Sequence, residues 1–270
     1  MRLTAAPMDR RAWTSDLVDH RAVLLALAKK DFQTRYKRAG FGVLWAVALP
    51  LVQAAVLAVV FSRVARFPSD GTDVGLGAYV LSGMLAYSYF AASLLAATTA
   101  IVDGAPLAER VWFPRAVLVI VPCAANLVGL VISTIAGVVL CPILGGNLSL
   151  RTLLVIPGAM LLASFVIALS EVLGALYVYF RDVRFIVQAV MLVWIYVTPV
   201  IYPRAALGRY EWLVDLNPLT GPISLYHAAF GVDGDPVLRP VFVTLAVTAV
   251  LALITLETHR RHDRRFVDLL

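Results

Sequence analysis

Six apolar stretches, each long enough to cross a lipid bilayer, constrain this chain more than any other feature of its sequence. An α-helix rises about 1.5 Å per residue, so roughly 20 apolar residues cover a hydrocarbon core of about 30 Å. The stretches are residues 41–63, 76–102, 116–141, 153–180, 185–201 and 237–256. Stretch 185–201 is at the lower limit of length. Little of the chain remains for a soluble catalytic domain, which predicts an all-α integral membrane protein with six transmembrane helices.

Composition and charge support this prediction. Hydrophobic residues make up 61% of the chain and charged residues only 15%, a balance typical of membrane proteins. If both termini are cytoplasmic, most of the 23 Lys and Arg residues lie in cytoplasmic segments. The positive-inside rule therefore predicts this orientation in a bacterial plasma membrane, and the net positive charge does not indicate nucleic-acid binding. The predicted domains are a cytoplasmic segment at 1–40, a transmembrane domain at 41–257 and a basic cytoplasmic tail at 258–270.

The segment before the first span predicts an amphipathic helix over residues 17–38. Its apolar side is formed by Leu24, Leu25, Ala28, Phe32 and Tyr36. The other side is basic, and Arg35 interrupts the apolar side. A helix of this kind lies flat on the cytoplasmic leaflet, with its cations near anionic lipid headgroups. The alternative is a basic segment that serves only to set the topology.

The cytoplasmic loop 103–115 has room for one short helix between Pro106 and Pro114, since proline favours helix starts and prevents continuation. The loop carries adjacent charged and aromatic residues: Glu109, Arg110, Trp112 and Phe113. This composition indicates a surface that contacts a partner. Anchoring of the aromatic side chains at the membrane interface is the alternative interpretation.

The longest external segment, 202–236, contains Asn217 followed by Pro218. Asn at the N-cap position and Pro at the first helical position are a recognised helix start. The sequence therefore predicts a helix over 218–230, which is too short to cross the membrane and too apolar to remain in water. We expect a re-entrant or lid element on the outer side, before the last span.

Glu171 is the only carboxylate well inside a predicted span. It lies nine residues before Phe180, or about 13 Å along the helix axis. An ionisable residue at that depth is a functional candidate by default. A hydrogen-bonded structural glutamate is an equally good interpretation.

Several motifs of catalytic proteins are missing from the sequence. No G-x-x-x-x-G-K-[ST] nucleotide-binding loop occurs, and no His, Cys and carboxylate cluster has the spacing of metal ligands. The sequence thus predicts a transport or scaffold subunit that is not an enzyme and holds no metal or cofactor of its own.

Four stretches, in order along nearly the whole chain, resemble the membrane subunit of type-2 ABC exporters. Within that class they are similar to the branch that exports lipid-linked polysaccharides or teichoic acids. The stretches read KDFQTRYK (30–37) followed by GVLW (42–45), then VWFPR (111–115), YFRDV (179–183) and NPLT (217–220). Each is weak alone, and their order and spacing make the combination specific.

The resemblance implies a homodimer of this subunit with two copies of a separate ATPase, which binds ATP and Mg. It places the contact with the ATPase in the loop 103–115 and in the tight turn between the fourth and fifth spans. The residues implied in this contact are Glu109, Arg110, Val111, Trp112, Phe113, Arg181 and Asp182.

The resemblance also places the first and fifth spans around a central conduit. We therefore expect Trp45, Trp194 and Tyr196 to face the sugars of a transported polymer, unless these rings only pack in the core or at the membrane interface. Asn217 and Pro218 are expected at the outer gate.

The resemblance implies a polyprenyl-linked glycan as the substrate, such as O-antigen, galactan or a teichoic-acid-like polymer. Membrane lipids are also expected to contact the subunit. An exporter of small molecules or lipids is the nearest alternative. An integral-membrane lipid-carrier transferase would need acidic residues that converge at the inner surface, where only Asp103, Glu109 and Asp182 are available. A non-catalytic scaffold for another membrane complex would have no ATPase partner.

Overall fold

The computed structural model describes residues 19–37, 39–60, 75–108, 113–232 and 238–262. Regular structure in these ranges is entirely helical, with no strand, which confirms the predicted fold class. The α-helices are α1 (Arg21–Tyr36), α2 (Trp45–Val60), α3 (Leu76–Asp103), α4 (Ala105–Ala108), α5 (Ala116–Leu140), α6 (Val155–Tyr179), α7 (Val183–Val197), α8 (Glu211–Asp215), α9 (Thr220–Ala229) and α10 (Leu238–His262). Short 3₁₀ turns occur at Gly42–Leu44, Cys141–Leu144, Leu150–Leu154 and Arg204–Tyr210.

Five helical segments are long and apolar enough to cross a membrane. They are Gly42–Val60, Leu76–Asp103, Ala116–Leu144, Leu150–Tyr179 and Leu238–Thr258. These segments confirm the positions of the first four predicted spans and of the last one. Few side chains of the first and last segments are buried, as expected where a helix faces lipid rather than protein.

The fifth predicted span, 185–201, is wrong at its outer end. Helix α7 has 15 residues and ends at Val197, and Thr198 adopts an extended conformation with φ −107° and ψ 140°. Pro199 is the reason, because a proline disfavours the helical conformation of the residue before it. The chain continues as a turn whose residues 198–201 are buried.

Helix α7 and the turn after it together run along most of the length of α3. At one end, Gln188 lines the same groove as Thr99. At the other end, the Tyr79 hydroxyl lies 3.2 Å from the Pro199 carbonyl oxygen and 3.1 Å from that of Tyr202. Thr99 and Tyr79 are about 30 Å apart along α3, at the rise of an α-helix. Helix α7 and the turn after it together therefore cover a length comparable with the thickness of a bilayer core.

Helix α3 is the centre of the bundle and packs against α2, α5, α6, α7 and α9. Its fully buried Phe90 stacks on Phe165 of α6 at 6.1 Å between ring centroids and meets the edge of Trp194 of α7 at 5.1 Å. Small residues on α3 allow close approach of the neighbouring backbones. A Cβ atom at Gly83, for example, would lie 2.9 Å from the Val200 carbonyl oxygen.

Helix α1 confirms a helix within the predicted range 17–38, of which residues 17, 18 and 38 lie outside the described part. Leu24 and Leu27 pack against a small buried cluster that contains Phe113 and Val117. Leu25, on the predicted apolar side, is 65% exposed in the protomer, and Leu27 packs against the cluster. Leu24 and Leu27 are covered because they lie on the side of α1 that packs against α5.

The short helix predicted before the last span is present, but it begins two residues later than predicted. Helix α9 starts at Thr220, and Leu219 rather than Asn217 precedes it as the capping residue. Asn217 instead accepts the Leu219 N–H at its Oδ1 atom, at 3.0 Å, in the local turn that asparagine side chains commonly make. All ten residues of α9 are buried, so this helix is enclosed by the bundle.

Candidate functional site

A cavity of about 640 Å³ lies between α2, α3 and α5, close to the end of α7. Trp45 and Tyr36 line it, together with polar but uncharged side chains: Gln53, Ser88, Asn126 and Ser133. Ser88 lies about 18 Å along α3 from the outer end of that helix. The cavity is thus near the middle of the bundle, and its lining in the described part of the chain carries no charge.

The wall of this cavity offers hydrogen-bonding groups that the helices do not use. Pro50 lies inside α2, so the Ala46 carbonyl lacks the N–H donor that a helix normally supplies four residues later. Ala46 lines the cavity. On the opposite wall, the buried Ser88 hydroxyl has no hydrogen-bond partner among the described residues. An aromatic surface with uncharged donors and acceptors suits a hydroxyl-rich neutral ligand.

The three aromatic residues predicted to face sugar are not brought together within one protomer. Trp45 lines the cavity and is 39% exposed. Trp194 lines a separate open depression of about 580 Å³ on α7, with apolar neighbours such as Val193. Tyr196 is 62% exposed on α7. Their role in sugar binding stays a prediction.

Asn217 connects α7 to the segment before α9. Its Oδ1 atom accepts the indole N–H of Trp194 at 3.2 Å, in addition to the Leu219 N–H. Its Nδ2 atom donates to the Thr198 hydroxyl at 2.9 Å and lies 3.4 Å from the Val197 carbonyl oxygen. The amide is therefore fully bonded inside the protein, and it fixes the outer segment. Pro218 is held next to it, since its carbonyl oxygen accepts from Thr244 of α10 at 2.7 Å.

His227 of α9 and Tyr79 of α3 hold the turn after α7. The two rings stack at 3.9 Å between centroids, and His227 Nε2 lies 2.9 Å from the Pro199 carbonyl oxygen. Because a carbonyl only accepts, Nε2 carries the proton. Nδ1 lies 2.8 Å from the Ser82 hydroxyl. Sequence reasoning missed this cluster, because no local pattern links positions 79 and 227; the only signal was a histidine in an otherwise apolar helix.

A second cluster that sequence reasoning missed lies where the turn Arg204–Tyr210 meets helix α8 and helix α10. Arg204 forms an ion pair with the buried Asp215, and Arg239 of α10 lies 4.0 Å from the other oxygen of that carboxylate. This arrangement ties the turn Arg204–Tyr210, helix α8 and helix α10 together. It also explains how Asp215 is buried, since a buried carboxylate requires a paired charge.

The predicted coupling residues divide into two groups in the structure. Arg181 and Asp182 are exposed between α6 and α7, where the Arg181 guanidinium lies 5.2 Å from the centre of the Tyr177 ring. Phe113, in contrast, is 2% exposed and is covered by this chain's own residues. It packs against Leu24 and Leu27 of α1, and its contact with a partner stays a prediction. Glu109, Arg110, Val111 and Trp112 lie outside the described residues.

A polar groove of about 430 Å³ lies between the ends of α3 and α7. Thr99, Asp103, Arg184 and Gln188 line it, and the Thr99 hydroxyl donates to Asp103 at 2.6 Å. The part of the chain that the structure describes holds no group of three or more His, Cys, Asp or Glu residues able to bind a metal ion. The groove offers polar contacts from α3 and from α7.

Glu171 lies on α6 and is buried, at 3% exposure. The preceding residue, Ser170, lies 3.9 Å from the Cys123 sulfur of α5, so this side of α6 faces the bundle. Burial agrees with both interpretations of Glu171, the functional and the structural one.

Comparison with known proteins adds to this geometry. The chain is 27% identical over 239 residues to an O-antigen export system permease protein RfbA of Myxococcus xanthus, covering 87% of this chain and 90% of that protein. It is 24% identical over 251 residues to an O-antigen export system permease protein RfbA of Klebsiella pneumoniae, covering 92% and 95%. Residues 22–230 match the family described as ABC-2 type transporter. The chain is therefore a member of the ABC-2 type transporter family, whose membrane subunits work with an ATP-binding partner.

Proposed function

We propose that this chain is the transmembrane subunit of an ATP-driven exporter that moves a lipid-linked polysaccharide from the cytoplasm to the outer side of the plasma membrane. The observation that carries the proposal is the similarity to O-antigen export permeases over about nine tenths of each protein. ATP and Mg are bound by the partner ATPase. In this proposal the permease itself performs no chemistry.

The uncharged cavity supports a sugar polymer as the substrate. Trp45 offers an aromatic face, and the hydrogen-bonding groups around it are neutral. Aromatic faces bind the apolar surface of sugar rings with little directional preference. A polymer that must slide needs weak, repeated contacts of this type, whereas a small drug-like substrate is normally held by a closed pocket.

Two copies of the chain are proposed to meet along α2 and α7. Both helices carry apolar side chains that the protomer leaves exposed, among them Val52 at 60%, Val56 at 56%, Leu192 at 74% and Val193 at 60%. An assembly along these faces would place the depression beside Trp194 and the exposed Tyr196 ring near the shared axis. The conduit would then form between the protomers.

Six crossings, with both termini in the cytoplasm, are the proposed topology. The contacts of α7 and its following turn along α3 support a fifth crossing despite the short helix. The positive-inside rule supports the orientation. In this topology the exposed Arg181 and Asp182 and the loop 103–115 would face the cytoplasm. Two ATPase copies would dock there.

Depletion of the subunit in its host tests the proposal. The lipid-linked glycan of the inner leaflet and the glycan of the cell surface are measured after depletion. We expect finished polymer to accumulate inside while the surface polymer is lost. If synthesis of the polymer stops instead, a transferase function replaces this proposal. If neither pool changes, the cargo is a small molecule or a lipid, and the polymer branch is excluded.

A further inference from the structure

Arg35 is an arginine on the apolar side of α1, and the structure gives it two partners. Its Nε atom donates to Asp31 one turn earlier at 3.0 Å. Its Nη1 atom donates to the Asn126 side-chain oxygen on α5 at 2.7 Å. The Arg35 side chain is about a third exposed. An arginine that the sequence pattern leaves unexplained is therefore an anchor from α1 to the transmembrane bundle.

Asn126 extends this connection into the core. Its amide nitrogen donates to the Ser93 hydroxyl on α3 at 3.2 Å, and Ser93 is fully buried. Asn126 lies about 15 Å along α5 from the first residue of that helix, and Ser93 lies about 15 Å along α3 from its last residue. The loop 103–115 joins these two helix ends. One chain of side-chain hydrogen bonds thus links three helices at this depth: Arg35 on α1, Asn126 on α5 and Ser93 on α3.

The opposite end of α1 contacts the end of the loop 103–115. Leu24 and Leu27 pack against Phe113 and Val117. Leu24 and Arg35 are separated by about 16 Å along the axis of α1. The helix therefore touches the loop at one end and the core at the other. Tyr36, next to Arg35, lines the central cavity together with Asn126.

We infer that the Arg35–Asn126 hydrogen bond is the positioning contact through which α1 transmits movement of the loop 103–115 to the cavity. Arg35 and Asn126 are positioning residues here, and neither needs to touch the transported molecule. A rigid helix fixed at two points moves both when either is displaced. Loss of the anchor at Arg35 leaves the packing of Leu24 and Leu27 on Phe113 in place, while a displacement of Phe113 no longer reaches Asn126.

This inference rests on the proposed function, and its test uses the permease co-purified with its ATPase and reconstituted into liposomes. The variants are Arg35→Met, Asn126→Leu and the double variant. Thr34→Val is the matched control on α1, since the Thr34 hydroxyl is bonded only to the Lys30 carbonyl of the same helix in the described structure.

We expect Arg35→Met and Asn126→Leu each to lower export by about tenfold, because a hydrogen bond to a charged group is among the stronger ones in proteins. The double variant should lose no more than either single variant, and Thr34→Val should export near the wild-type rate. ATPase co-purification and ATP hydrolysis should stay within about twofold of wild type. Additive losses, or unchanged export in both single variants, would overturn the inference.

A measurement that does not depend on export separates this inference from the proposed function. The same variants are compared by thermal unfolding of the detergent-solubilised permease. A non-additive double-mutant cycle between positions 35 and 126 is expected, because the two residues share one hydrogen bond. If the wild-type complex exports no glycan but the cycle is non-additive, the proposed function fails and the contact stands. An additive cycle would remove the contact itself.

Discussion

The indole N–H of Trp194 donates to the side-chain oxygen of Asn217 at 3.2 Å and joins α7 to the segment that precedes α9. Each residue was predicted separately as functional, one in the conduit and one at the outer gate. Their contact means that the end of α7 and the outer segment share a structural unit. Any movement of the end of α7 relative to this segment must break the bond.

Replacement of Asn217 should loosen the outer segment. Asn217→Leu removes the bonds to Trp194, Leu219 and Thr198, and it leaves buried polar groups without partners. We expect a loss of about 1–3 kcal/mol in the free energy of unfolding, measured by denaturation in detergent. Asn147→Ala is the control, since Asn147 is exposed and should change stability by less than about 0.5 kcal/mol. Equal stability of the two variants would contradict the role given to Asn217.

Replacement of Tyr79 by Phe removes one hydroxyl group from the turn after α7. The Pro199 and Tyr202 carbonyls lose a donor in a buried region, where water cannot replace it. A loss of about 1–2 kcal/mol is expected. Tyr210→Phe is the matched control, because the Tyr210 hydroxyl accepts from the neighbouring Arg209 at an exposed site. The measurement is proteolysis between α7 and α9, which should accelerate in Tyr79→Phe and remain at the wild-type rate in Tyr210→Phe.

Phe113 and Trp112 should behave differently although they are adjacent. Phe113→Ala removes a ring that is 2% exposed, and about 3–5 kcal/mol of stability should be lost. Trp112→Ala should leave folding unchanged and weaken ATPase association by about 2 kcal/mol, if Trp112 is an interface anchor. Thermal unfolding and co-purification are measured for both variants. Phe185→Ala is the control for Phe113, as Phe185 is 65% exposed. Full ATPase recovery with Trp112→Ala would exclude its coupling role.

Trp45 should contribute to transport through its aromatic face. Trp45→Ala is expected to reduce glycan export several-fold, and Trp45→Phe should retain most of it, because stacking needs an aromatic ring and not the indole N–H. Trp212→Ala is the control for a general effect of losing tryptophan, since Trp212 is 48% exposed in α8. Initial export rates in liposomes are compared at equal protein levels. Identical rates for Trp45→Ala and wild type would remove Trp45 from the substrate path.

The sequence predicted the helical class and the positions of five membrane-length helices because hydrophobic length is a local property. The resemblance to ABC-2 exporters is also confirmed, by the match of residues 22–230 to that family. The sequence-based prediction failed at the end of α7 and at the start of α9. At α7 the cause is local, since Pro199 prevents Thr198 from continuing the helix. At α9, Asn217 bonds both to Leu219 nearby and to Trp194 and Thr198 of the distant α7 segment.

The sequence by itself determined an apolar helical bundle with a basic helix before it. Burial of apolar side chains in lipid follows directly from the composition of each segment and from the spacing of its apolar residues. Only the tertiary structure decided which polar groups meet. His227 contacts the turn at Pro199, Asp215 pairs with Arg204, and Arg35 reaches Asn126. Inside an apolar bundle each buried polar group needs a partner, and that partner can be far away in the chain. Its identity depends on how the helices pack.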